Sequence, residues 1–466
     1  MRYLSTRGNA PAARFDTILT AGLAPDGGLY VPERWPRLDD RAPSAGVGFA
    51  KAAAQLLAPY VAPWMARDEL EAMTERAYAA FGSHEVAPLI RLGEDDFLLE
   101  LFHGPTLAFK DVAMQLLAVL FERALEVSAS HATIIGATSG DTGAAAIEAF
   151  RDKERIDVFI LYPAGKISDV QRRIMTTARE ENISVVAVDG TFDDCQRIVK
   201  ALFADAAFAD AHGLAGVNSI NWARIAAQTV YYFTGLAALE AMTGARRASF
   251  AVPTGNFGDA FAGYAALKMG AAINRLALGV NRNDILHRAL ETGVYRPESV
   301  APTTSPAMDI QVASNFERLL FEVSGRDAAA VAGLMRELDR RGVYEIPNAW
   351  LQAMREVFIS ARIDEGENRE TIRRVHDETG ITIDPHTAVG VAAARKLRAD
   401  RRLKGPVIAL ATAHPAKFPD AVEAAIGERP ALPPRYANLC QLSERIIEAP
   451  ADAAAVQSLI KRMARC

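Results

Sequence analysis

Cysteine is scarce in this chain: Cys195, Cys440 and Cys466 are the only three in 466 residues. They show no CxxC spacing, which excludes a thiolate metal site and a disulfide framework and predicts a reducing, cytoplasmic compartment. No charge sign dominates either. Lys plus Arg total 52 and Asp plus Glu total 57, a net charge of −5. That balance excludes a nucleic-acid binder working through bulk charge. Long apolar runs are also missing. The longest uncharged stretch, 225–239, is interrupted by Gln228, Tyr231, Tyr232 and Gly235, and a membrane span needs about 20 apolar residues. The first residues lack an apolar signal core and an Arg- and Ser-rich leader, so no targeting segment is expected. His376 and His386 do not have metal-ligand spacing. No GxSxG occurs, so a hydrolase triad has no support.

What remains is an ordinary globular composition, 50% hydrophobic and 23% charged. At about 150 residues per domain the length predicts two to three domains. Residues 1–85 are expected to form a helical N-terminal region, because 49–60 and 64–81 carry apolar positions at helical period. Pro/Gly-rich punctuation falls at 24–32, 39–47 and 431–434. From 86 to 430 short apolar runs alternate with amphipathic stretches. Strands are predicted at 97–102, 133–136, 158–161, 185–188, 249–252, 276–280 and 407–410. Helices are predicted at 109–125, 142–151, 168–181, 192–203, 222–242 and 259–269. Such alternation predicts an α/β fold with a mostly parallel sheet covered on both faces, in two lobes. The polar stretch 283–380 reads as a helical, lid-like insertion. Residues 431–466 read as a tail ending in a helix at 451–463.

In such folds ligands collect beyond the carboxyl ends of strands, and four motifs fall there. The first is His103-Gly104-Pro105-Thr106-Leu107-Ala108-Phe109-Lys110-Asp111. Lys110 falls in a first helical turn, where the helix dipole disfavours its charge. Burial beside Phe109 would depress its pKa further and make the amine nucleophilic, as a Schiff-base lysine requires. An isolated lysine is ordinarily a solvated surface group; the apolar flank argues against that here. The second is Gly255-Asn256-Phe257-Gly258-Asp259, between a strand and a helix. Its backbone N–H groups can cradle a phosphate without a basic side chain, although a plain glycine turn has the same pattern. The third is Thr138-Ser139-Gly140-Asp141-Thr142-Gly143, whose hydroxyls and N–H groups suit a carboxylate or simply cap a helix. The fourth is Thr412, a hydroxyl at a strand end; His414 beside it reads as structural. A lysine, a phosphate cradle and a polar ring partner together are what pyridoxal phosphate needs.

These motifs closely resemble the threonine synthase family, in its longer bacterial and fungal form. The resemblance covers most of the chain. It runs from Tyr3-Leu4-Ser5-Thr6-Arg7-Gly8 and Gly22-Leu23-Ala24-Pro25-Asp26-Gly27-Gly28-Leu29-Tyr30-Val31-Pro32 through the lysine motif. Asn218-Ser219-Ile220-Asn221-Trp222-Ala223-Arg224, Ser314-Asn315-Phe316-Glu317-Arg318, Asp384-Pro385-His386-Thr387-Ala388 and the segment 412–418 follow in order. It implies a type II pyridoxal-phosphate fold, similar to the tryptophan synthase β-subunit. It implies Lys110 as the cofactor's lysine and Gly255, Asn256, Phe257, Gly258 and Asp259 at the cofactor phosphate. Thr412 would face the pyridine nitrogen, Ser139, Asp141 and Thr142 the substrate carboxylate, and Asn218, Asn221 and Arg224 the substrate. The implied reaction takes O-phospho-L-homoserine and water to L-threonine and phosphate, by loss of phosphate from Cγ and addition of water at Cβ. The enzyme would be a monomer or homodimer without metal, nucleic acid or membrane. The alternatives are a dehydratase, a phospho-lyase making a 2-oxoacid, and an inactive binding homologue. The N-terminal glycine block and the Asn218–Arg224 motif argue against the dehydratase. The phospho-lyase remains open, and the retained lysine and glycine loop argue against the inactive homologue.

Overall fold

The computed structural model describes residues 1–38 and 42–465. The start of the 39–47 stretch and Cys466 therefore lie outside the described residues. Two sheets dominate. The larger has six strands in the order Phe358–Arg362, Ile273–Val280, Ala248–Pro253, Val407–Ala411, Asp96–Glu100 and Leu89–Arg91. All its pairings are parallel except the last. The smaller has five parallel strands: Ile447–Pro450, Ile183–Asp189, Ile156–Pro163, Ala132–Ala137 and Leu214–Ala215. Strands such as Ile156–Pro163 and Ala248–Pro253 are buried along their whole length. Helices cover both faces, which explains why these strands are continuously apolar rather than alternating.

All seven predicted strands form, each within a few residues of its predicted bounds. The helices Lys110–Ser128, Asp141–Phe150, Phe192–Ala204, Trp222–Thr243 and Gly258–Met269 also match. The one predicted at 168–181 is shorter, Asp169–Thr176. Ser168 opens it with a capping box, and the Arg445 N–H takes the Thr176 carbonyl at its other end. A contact from the far end of the chain thus helps stop a helix that local pattern would continue.

The N-terminal segment contains the helices Phe15–Ala21, Phe49–Val61 and Arg67–Tyr78, and also an antiparallel pair, Tyr3–Ser5 with Tyr30–Pro32. Its Tyr3, Phe15, Leu57 and Tyr60 belong to the same hydrophobic cluster as Val112, Trp222 and Phe261. The stretch 283–380, expected as a helical insertion, is not only helical. It supplies the edge strand Phe358–Arg362 of the larger sheet and a small ladder, Val294–Tyr295 with Tyr344–Glu345. The tail likewise adds the strand Ile447–Pro450 to the smaller sheet before its helix, Ala453–Met463. Short edge strands of this kind carry little apolar pattern of their own. Among the described residues no helix is long and apolar enough to cross a membrane, and no group of His, Cys, Asp and Glu could hold a metal ion.

Candidate active site

Three of the four motif loops leave neighbouring strands. Val407–Ala411 lies between Ala248–Pro253 and Asp96–Glu100, so Thr412 emerges between the glycine loop and the lysine loop. The lysine loop returns over that strand end. Ala108 bridges Ala413, the Phe109 N–H donates to the Thr412 carbonyl at 2.8 Å, and the His414 N–H donates to the Leu107 carbonyl at 3.0 Å. Asp111 folds the loop from inside. Its carboxylate accepts from the Thr106 N–H and hydroxyl, both at 2.7 Å. A Cβ on Gly104 would fall 2.4 Å from the Asp111 Cβ, so only glycine fits there. Burial raises the Asp111 carboxyl to about 6.

Lys110 opens its helix and points at the Thr138–Gly143 motif, which leaves the smaller sheet. Its Nζ lies 3.3 Å from Asp141 Oδ2, and its side chain is 12% exposed. Burial pushes its ammonium below the ordinary lysine range; Asp141 opposes this, while Lys417 and Arg224 add to it. The depressed lysine expected from the sequence is therefore present. Asp141 itself is buried between two cations. Lys417 Nζ sits 2.6 Å from its Oδ1, and Gln171 Nε2 donates to the same oxygen at 2.9 Å. Burial alone would raise the Asp141 carboxyl, but Lys417 and Lys110 hold it well below the usual carboxylate range. The Asp141 side chain is spent on the lysines, so what it could offer a substrate carboxylate is its backbone N–H at the start of helix Asp141–Phe150. Ser139 and Thr142 are half-buried beside it. Thr138 shapes their loop by accepting from the N–H groups of Gly140 at 3.0 Å and Gly143 at 2.9 Å.

The glycine loop is tightly drawn. Phe257 is fully buried with φ +63°, a left-handed conformation uncommon outside glycine. A Cβ on Gly255 would fall 2.9 Å from the Met308 Cα. Asn256 anchors the loop sideways: its Nδ2 donates to Ser219 Oγ, and its Oδ1 accepts from the Ser314 N–H at 2.8 Å. The Phe261 N–H finds the Phe257 carbonyl and the Ala260 N–H finds Asp259 Oδ1. The N–H groups of Gly255 through Gly258 find no acceptor among the described residues, while the Asp259 N–H faces its own carboxylate. Orphan donors at a helix N-terminus, without a Cβ on Gly255 or Gly258, fit a phosphate. The Asp259 side chain does not join in. It takes the Thr254 hydroxyl at 2.5 Å, and burial raises it to about 6.

The side chains of the Asn218–Arg224 motif are held in different ways. Asn218 is exposed. Asn221 is buried as a helix cap, accepting from the Ala223 N–H and donating to the Leu19 carbonyl, at 2.9 and 2.8 Å. Arg224 is 2% exposed. It donates from one terminal nitrogen to the Val217 carbonyl at 3.0 Å, its Nε has no partner, and no ion pair involves it among the described residues. Burial lowers it to about 10. A buried guanidinium without a counter-charge costs several kcal/mol, and an anion would relieve that cost. Thr412 is buried, its N–H on the Thr387 hydroxyl at 3.2 Å, while its own hydroxyl has no partner among the described residues. His414 accepts from the Ala416 N–H and is pushed down to about 4 by burial, consistent with a structural role.

Comparison with known proteins agrees with this chemistry. The description "Threonine synthase N terminus" matches residues 2–78, "Pyridoxal-phosphate dependent enzyme" residues 86–344, and "Threonine synthase, C-terminal" residues 387–460. Threonine synthase from Pseudomonas aeruginosa is 47% identical, covering 99% of this chain and 98% of its own. The chain belongs to the threonine synthase family. Among solved structures, pyridoxal-phosphate-bound threonine synthase from Brucella melitensis superposes with a TM-score of 0.94 at 47% identity, with all of both chains covered. Yeast threonine synthase follows with a TM-score of 0.93 at 38% identity, covering 99% of this chain and 98% of its own. The fold is accordingly the type II pyridoxal-phosphate fold, and the cofactor is pyridoxal phosphate.

In this threonine synthase family member the sequence reading missed side chains that complete the site. Lys417 is fully buried and touches Asp141. Gln171 reaches the same carboxylate from helix Asp169–Thr176. Asp384 caps the helix Pro385–Ala399 and accepts from the Thr387 hydroxyl and from His386 Nδ1, thereby fixing the threonine that holds the Thr412 N–H. Lys417 lies within the 412–418 segment, and a lysine beside a strand end among Pro415, Ala416 and Phe418 was the signal available.

Proposed function

We propose that the chain is a threonine synthase that converts O-phospho-L-homoserine and water into L-threonine and phosphate. The observation that carries this reading is the cationic interior. Lys110, Lys417 and Arg224 share one buried site with a single strongly ionised carboxylate, Asp141. A cofactor phosphate and a substrate phosphate are both dianions, and this site can accept both. The N–H groups of 255–259 would hold the first, Lys110 would carry the cofactor as a Schiff base, and Thr412 would face the ring nitrogen. Bound there, pyridoxal phosphate supplies an electron sink for the substrate's reacting carbons.

The chain's own residues do the rest. Arg224 grips the phosphate that leaves from Cγ, and its positive charge stabilises the departing oxygen. The Lys110 amine would take protons from Cα and Cβ and return one at Cγ and one at Cα, while the water that adds at Cβ as hydroxide leaves its remaining proton with the departing phosphate; one mobile group can serve these transfers because the three carbons are consecutive. Ser139 and Thr142 offer hydroxyls to the substrate carboxylate at a helix N-terminus. Exclusion of water until phosphate has gone favours the product, since early water would intercept the unsaturated chain. Among the described residues Cys195 and Cys440 are free thiols, which suits the cytoplasm.

The deciding assay measures phosphate release from O-phosphohomoserine and identifies the organic product. Threonine in equal amount is expected; a 2-oxoacid in its place would convert the assignment to the phospho-lyase. For Thr412→Val we expect cofactor content to persist while kcat falls about 5- to 150-fold, the loss of one buried hydrogen bond at roughly 1–3 kcal/mol. Unchanged kinetics with an unchanged cofactor spectrum would remove Thr412 from the site.

A further inference from the structure

Asp141 has more cations than it needs. Its Oδ1 is taken by Lys417 at 2.6 Å and Gln171 at 2.9 Å, while Lys110 reaches Oδ2 only at 3.3 Å. Lys417 is the better held of the two lysines. It is fully buried, and its Nζ also donates to the Thr106 carbonyl at 2.8 Å, so it is tied to the loop that carries Lys110. Neither the helix-opening position of Lys110 nor its proposed role accounts for this second ammonium. Burying it is costly unless its charge is used.

We propose that Lys417 is a positioning residue: by occupying the Asp141 carboxylate it keeps Lys110 from being locked in a tight ion pair, and so leaves the Lys110 amine free for the cofactor's aldehyde. Covalent attachment needs the neutral amine. Its lone pair makes the C–N bond, and the carbonyl oxygen leaves as water, whereas an ammonium has no lone pair to give. Asp141 alone with Lys110 would hold that lysine protonated. Asp141 shared with Lys417 holds it loosely in place. The other charged groups facing Lys110 are Arg224, from helix Trp222–Thr243, and Asp259, from helix Gly258–Met269. His386 faces Asp141, and Asp111 and His414 face Lys417. None of these makes a hydrogen bond or ion pair to Asp141, so none can replace Lys417 there.

The proposal uses Lys110 in the role given above, but its test reads the competition itself. The full-length chain, stripped of cofactor, is acetylated with acetic anhydride across a pH series, and modification of Lys110 is followed by peptide mass mapping. In Lys417→Met the midpoint for Lys110 is expected to rise by about one pH unit or more, the effect of a near carboxylate left unshared. Uptake of pyridoxal phosphate at neutral pH should slow about tenfold and recover at higher pH. In Asp141→Asn, which removes the object of the competition, the Lys110 midpoint should fall. A Lys417→Met profile that superimposes on the wild type overturns the proposal, and so does a rise of the same size when Lys417→Met is made in the Asp141→Asn background, since that rise is Lys417's direct repulsion of Lys110 and not competition for Asp141. If Lys417→Met does not fold, Asp141→Asn decides, and an unchanged or raised midpoint overturns the proposal. If the cofactor attaches to a lysine other than Lys110, the functional assignment of Lys110 falls, and the acetylation profiles still report on the competition.

Discussion

Lys110→Ala is expected to give a folded chain with no covalently held cofactor and turnover reduced by about four orders of magnitude or more. Each proton transfer by a positioned side chain contributes roughly 10²–10⁴, and Lys110 is the proposed agent of several. The fold should survive for structural reasons. Asp141 keeps Lys417 at 2.6 Å, so no buried carboxylate is orphaned. The first helical turn also loses a cation that the dipole disfavours and gains a good helix former. Thermal unfolding should therefore change little. Borohydride reduction of the wild type, followed by peptide mapping, should label Lys110. A label on another lysine would falsify the assignment, as would a Lys110→Ala protein that still releases phosphate from O-phosphohomoserine.

Arg224→Lys carries the second large effect. The substitution keeps the charge and loses the planar fork that grips phosphate oxygens in pairs. Losing one charge-assisted hydrogen bond, at roughly 1.5–3 kcal/mol, corresponds to about a 13- to 150-fold rise in KM for O-phosphohomoserine. Inhibition by free phosphate should weaken in parallel, and cofactor content should stay at the wild-type level. The geometry already narrows the competing explanations. Arg224 is neither on the helix surface nor in an ion pair among the described residues. What remains besides substrate binding is support of the Val217 carbonyl, which a lysine could also provide. If KM and phosphate inhibition both stay at wild-type values while circular dichroism shows an intact fold, Arg224 has only that structural role.

Much of the site was legible because its chemistry sits in short, local motifs. A strand, a Gly-Pro turn and an apolar helix predict where Lys110 falls, and the strand-glycine-helix pattern predicts the 255–259 loop. What was not legible is where the polar side chains turn. Asn221, Asp141 and Asp259 are polar residues in the right loops, but their side chains are spent inward: on the Leu19 carbonyl and a helix N-terminus, on two lysines, and on the Thr254 hydroxyl. Sequence gives the residue type and not the direction of its hydrogen bonds. The edge strands Phe358–Arg362 and Ile447–Pro450 went unread for a related reason. A short edge strand is defined by its partner's backbone, and these partners, Ile273–Val280 and Ile183–Asp189, lie far away in the chain.

The sequence by itself determined the fold class, the apolar strands, the helix starts and the lysine poised at one of them, because these follow from periodicity, turn chemistry and composition within windows of some ten to twenty residues. Only the tertiary structure decided that Val407–Ala411 enters between Ala248–Pro253 and Asp96–Glu100. That single insertion delivers Thr412 between the two loops and carries Lys417 to the Asp141 carboxylate. Strand order is settled by packing of the whole chain, where contacts between distant segments compete for the same sheet edge, and no local pattern records which one wins.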